Sequence, residues 1–119
     1  MDIKIIEKNK RFIPEFNGNK KAPAAEQMSI HFESFPGPMD NYKKVYRKDG
    51  AIAVEYDDVS LLLNHVDHFD NFTIQSKEIK TPLDFIKESC KVLTPLVVEI
   101  RNYAQGEEEL STGESKASE

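Results

Sequence analysis

The sequence predicts a small α+β single domain with a short sheet and about three helices, followed by a disordered acidic C-terminal tail. Three observations predict it. Residues Gln27 to Glu33 alternate apolar and polar, as in a half-buried strand. Thr81-Pro82-Leu83-Asp84 carries helix-start signals ahead of apolar residues that recur every three or four positions. Beyond Gly106, too little apolar surface remains to offset chain entropy. A length of 119 residues with 39% hydrophobic content suits one core. The expected division is a basic N-terminal strand and arm over 1–26, an α+β domain over 27–105, and the acidic tail over 106–119.

In chain order, Met1 to Glu7 reads as a short strand at best, its isoleucines set among charges. Phe12 to Lys21 contains a proline and an Asn-Gly-Asn turn, and reads as an extended arm or loop. In the strand that follows, Met28, Ile30 and Phe32 share one face, and Phe35-Pro36-Gly37-Pro38 ends it. Tyr42, Val45 and Tyr46 stand at helical spacing behind Asp40, which predicts a short helix to about Lys48, closed by Asp49-Gly50. Ile52, Val54 and Tyr56 alternate, which favours a strand. Asp57 or Asp58 then caps a helix whose face is Val59, Leu62, Leu63, Val66 and Phe69, with Asn71 as its stop and a short extended connection over Phe72 to Lys77.

At Thr81 the capping-box pattern opens a helix with Pro82 in its first turn. Leu83, Ile86, Cys90, Leu93, Val97, Ile100 and Ala104 then form one apolar seam. Pro95 interrupts it, which predicts either a kink or a fresh start with Thr94 as cap. On a helical wheel Phe85 and Val98 fall opposite the seam, and Phe12 and Phe16 lie in a segment without periodicity. Such side chains left outside a core suggest a partner surface.

Formal charge is -5, with a basic head and an acidic tail, which argues against nucleic acid as a partner. Cys90 is the only cysteine, so an intrachain disulfide is excluded, and its place on the seam predicts a buried thiol. No long apolar run or export signal is visible, so the expectation is a cytoplasmic protein with no membrane contact. No nucleophile motif or phosphate-cradling glycine loop is present, so no enzyme, cofactor or catalytic residue is expected. His65 and His68, one helical turn apart with Asp67 and Asp70 nearby, are the one cluster that suggests chemistry. A metal site needs further converging ligands, and His31, the remaining histidine, lies on the polar face of another element; a solvated helix face is expected instead.

The stretch FIPEFNGNKK, closed by Ala25-Glu26-Gln27 and followed at once by an alternating strand, resembles the N-terminal signature of small tail-assembly chaperone-like proteins of tailed bacteriophages and prophages. A connector ending in Ile79-Lys80-Thr81, a leucine-bearing helix and Leu96-Val97-Val98-Glu99-Ile100 before a charged tail are similar to the same arrangement, whereas Phe35 to Asp57 shows no likeness. The resemblance implies a non-enzymatic assembly factor in the host bacterium's cytoplasm that holds tape-measure or tail-tube proteins until the tail polymerises. It carries only recognition surfaces, onto Phe12, Pro14, Phe16, Phe85, Leu93, Val97, Val98 and Ile100. Self-association is left open. A virion structural subunit, such as a head-tail completion or tail-associated protein, is the alternative, and a metal-dependent regulator using His65 and His68 is a third.

Overall fold

The computed structural model describes residues 1–3, 7–37 and 41–106. Its strands are β1 (Arg11–Phe12), β2 (Ser29–Phe32), β3 (Tyr42–Tyr46), β4 (Ile52–Tyr56), β5 (Val66–Asp70), β6 (Thr73–Ile74) and β7 (Lys77–Glu78). Its α-helices are α1 (Asp58–His65), α2 (Pro82–Glu88) and α3 (Thr94–Gln105), with short 3-10 turns over Phe16–Lys21, Ala24–Glu26 and Lys91–Leu93. The fold is α+β: a three-stranded antiparallel sheet in the order β1-β2-β5, and two separate antiparallel hairpins, β3-β4 and β6-β7.

The alternation in β2 does what its pattern predicts. Ile30 and Phe32 are buried, while His31 between them is partly exposed on the opposite face. Its partner β5 replaces the second half of the predicted Asp58-to-Phe69 helix. The helix does form, capped by Asp57, whose carboxylate accepts from Ser60 N–H at 3.1 Å, but it stops at His65. Val66 and Phe69 are three residues apart, which suits a helix face and not a regular strand. The strand accommodates them through a bulge: Ile30 faces Phe69, His31 faces His68, and Phe32 faces Val66, leaving Asp67 as the extra residue. Both apolar side chains thereby point into the core.

The core packs this sheet against all three helices, with Phe12, Ile30, Phe32, Leu61, Phe69 and Phe85 among its largest members. Leu96, Ile100, Tyr103 and Ala104 on α3 complete it. The N-terminal arm belongs to the same core, so the boundary expected at residue 26 is not one of packing. β1 pairs with β2, Phe12 stacks on Tyr103 at 4.2 Å, and Pro14 is fully buried. Asn19 secures the arm: its amide donates to the carbonyls of Pro14 and Met28 at 2.9 Å and its oxygen accepts from Met28 N–H at 2.7 Å. Asn17 and Gly18 both take positive φ to turn the chain there. Of the predicted Met1-to-Glu7 strand, residues 4–6 lie outside the described residues, and the remainder is not a strand.

Where a helix was expected before Lys48 the chain forms β3. Tyr42 pairs with Tyr56 and Tyr46 with Ile52, and these cross-strand contacts decide between two periodicities that the segment satisfies equally. Asp49-Gly50 closes a hairpin instead of a helix: Arg47 N–H donates to Ala51 O at 2.8 Å, and Gly50 takes φ 84°. The expected cap, Asp40, lies outside the described residues. The connection after Asn71 is a second hairpin, turned by Gln75 and Ser76, both at positive φ.

The capping box of α2 is present: Thr81 Oγ1 accepts from Asp84 N–H and Asp84 Oδ2 accepts from Thr81 N–H, both at 3.1 Å. At Ser89 and Cys90 the backbone becomes extended, so the predicted continuous seam is two helices. Pro95 lies in the first turn of a new helix, with Leu93 at the capping position and Thr94 as its first residue. Cys90 is exposed, contrary to expectation, because it lies in this break. Gly106 ends α3 in a left-handed conformation. The tail assigned to disorder lies outside the described residues.

Candidate functional site

Most of the residues expected to bind a partner are placed inside the molecule. Phe12, Pro14, Phe85, Leu93 and Ile100 are buried, and Phe16, Val97 and Val98 are partly buried. Phe85 is 0% exposed and sits between Phe69 and Phe72, with ring centroids at 5.3 and 5.9 Å. The wheel that turned it outward treats α2 and α3 as one helix; the break at Ser89 resets the phase, and Phe85 points inward. Phe12, Pro14, Phe85, Leu93 and Ile100 are corrected from surface to core, Phe16 and Val97 pack against that core while partly exposed, and Val98 is partly exposed.

Exposed apolar surface is concentrated instead on the β3-β4 hairpin. Tyr42, Tyr46, Ile52, Val54 and Tyr56 are all exposed, Tyr46 by 73% and Val54 by 64%. The register puts Tyr42 with Tyr56, Lys44 with Val54 and Tyr46 with Ile52 on one face, because alternate residues of each strand share a face. Tyr42 and Tyr56 touch ring to ring at 5.2 Å. Lys43, Lys44, Arg47 and Lys48 outnumber Asp49 and Glu55, so the hairpin is positive on a negative chain. Its base is held by polar contacts: the Arg101 guanidinium lies 4.1 Å over Tyr56 and reaches Asp58 at 3.3 Å. Burial raises the Asp58 carboxyl above its ordinary value, and the Arg101 charge opposes that shift. The signal for this hairpin was in the sequence: an Asp-Gly pair just ahead of the alternating Ile52, Val54 and Tyr56.

A second constellation lies on the outward face of the central sheet. Because β2 and β5 place His31 opposite His68, the two imidazoles stack at 4.2 Å with 10° between their planes. Asp70 Oδ2 stands 2.8 Å from His31 Nε2 and 3.5 Å from His68 Nε2. The bulged residue, Asp67, contacts His68 Nδ1 at 2.6 Å, and the buried Ser29 hydroxyl lies 3.3 Å from His31 Nε2. His65, the residue expected to pair with His68, points elsewhere and meets Ser34 Oγ at 2.9 Å.

No protein-family model, curated protein or solved structure matches the chain. No helix among the described residues is long and apolar enough to cross a membrane.

Proposed function

We propose that the chain is a non-enzymatic binding protein that grips a client through the β3-β4 hairpin. The observation that carries this is the set of five large exposed apolar side chains on that ribbon, Tyr42, Tyr46, Ile52, Val54 and Tyr56. Exposed aromatic side chains flanked by charge suit an interface, since Tyr supplies large contact area at low entropic cost. The net positive charge of the ribbon favours an acidic client segment with apolar side chains of its own. With the resemblance of the Phe12-to-Gln27 segment, the client is a phage or prophage tape-measure or tail-tube protein, held in the host cytoplasm during tail assembly.

The test is a pull-down of the tape-measure and tail-tube proteins encoded beside this chain, with wild type and a Tyr46→Ser, Val54→Ser double variant. Each anchor lost should cost about 1–3 kcal/mol of binding. Folding should be spared, since both side chains already face solvent. Undiminished capture by the double variant would refute the proposal. So would sedimentation showing that the variant dissolves a dimer of the chain itself, since the occupant would then be a second copy.

A further inference from the structure

We propose that His31, His68 and Asp70 form a binding site for a divalent transition metal, with zinc as the test ion. The three ligand atoms lie within 4.8 Å of one another. Ligands of a tetrahedral zinc at about 2.0–2.2 Å stand roughly 3.3–3.5 Å apart. Asp70 Oδ2 is 3.5 Å from His68 Nε2, which is that spacing, and 2.8 Å from His31 Nε2, a hydrogen-bond distance that must open by about half an ångström as an ion replaces the proton. Two imidazoles and one carboxylate suit zinc and its neighbours in the first transition row, and suit calcium or magnesium poorly.

The supporting framework is what a surface pair of histidines ordinarily lacks. His31 and His68 stand opposite each other on paired strands, so the backbone fixes their spacing. Inward neighbours Ile30, Phe32 and Phe69 anchor those strands in the core. The bulge delivers Asp67 to His68 Nδ1, the contact that orients an imidazole to present Nε2 to a metal. An ion must lie near the plane of each ring it binds, so loading tilts the two imidazoles out of their parallel stack. Both rings are only partly buried, which leaves room for that movement. Three protein ligands leave a fourth position for water or for a side chain of another molecule.

The experiment titrates zinc into the full chain, prepared without a histidine tag, against a chromogenic chelator, with imidazole NMR and thermal melting alongside. The expected result is one zinc per chain, joint displacement of the His31 and His68 ring resonances, and a melting temperature raised by a few degrees. His31→Gln, His68→Gln and Asp70→Asn should each weaken binding at least about tenfold, and Asp67→Asn about tenfold. His65→Gln should bind as wild type, because its ring serves Ser34. Circular dichroism of each variant separates lost ligand from lost fold. Failure of wild type to bind zinc at one equivalent, or equal weakening by His65→Gln and His68→Gln, would overturn the site.

Discussion

Replacing Phe85 by Ala should unfold much of the margin by which this protein is stable. The ring is completely buried where α2 meets β5, and its neighbours Phe69 and Phe72 lie at 5.3 and 5.9 Å. Truncating a buried Phe costs about 3–5 kcal/mol, through lost transfer free energy and the cavity left behind. Two aromatic neighbours, each worth roughly 0.5–1.5 kcal/mol beyond area burial, place this site in the upper part of that range. With a total of about 5–15 kcal/mol for a domain, a loss of about 4–5 kcal/mol lowers Tm by roughly 15–40 °C. The assay is urea unfolding followed by far-UV circular dichroism, with an unchanged m-value as the check that one transition is being compared. Phe85→Leu, which keeps most of the volume, should cost less than about 1.5 kcal/mol. A cost below about 1 kcal/mol for Phe85→Ala would show that α2 is not docked on β5 as described.

Two further outcomes follow from the local geometry. Asp57 accepts from Ser60 N–H and Oγ, which hold its carboxyl below the ordinary range. A folded-state pKa below the unfolded one means stability that is complete above the unfolded value and lost as pH falls through the folded one. Asp57→Ala should therefore cost about 1 kcal/mol at neutral pH and shrink toward zero in acid, measured by urea unfolding across a pH series. Deleting Asp67 should cost about 1 kcal/mol or less, because it leaves Val66 and Phe69 two apart and the ladder regular. Deleting His31 should cost about 3 kcal/mol or more, since it turns Ile30 or Phe32 outward. Similar melting temperatures for the two deletions would contradict the register.

What the sequence made legible was whatever a single segment decides for itself. Thr81 to Asp84 has its capping chemistry within one helical turn, and Gly106 stops α3 by its own conformational freedom. The alternation of Met28, Ile30 and Phe32 likewise belongs to one strand. Hidden from it was whatever a partner strand decides. Val66 and Phe69 fit a helix face or a bulged strand equally, and the choice is made by β2, far away in the chain. Tyr42, Val45 and Tyr46 contain both periodicities, and β4 selects the strand. The His31, His68 and Asp70 cluster is hidden for the same reason: His31 lies on the polar face of an element far from His68 in sequence, and only strand pairing brings His68 onto that face.

The closure of the core by its two ends bears on how the chain behaves while it is being made. Phe12 is covered by Tyr103, whose hydroxyl donates to Asn9 O and whose carbonyl accepts from Lys8, while Glu15 N–H donates to Glu99. Contacts between residues so distant in sequence form late, since the whole intervening loop must be closed first. On a ribosome β2 and β5 can pair as soon as both have emerged, but Phe12 has no cover until α3 follows. Synthesis at about 5–20 residues per second leaves that side of the sheet wet for seconds. A transcript broken before the codon for Leu96 would yield a chain that has every strand of its sheet and none of its lid, and it is this fragment, more than the full chain, that should depend on the cell's general chaperones.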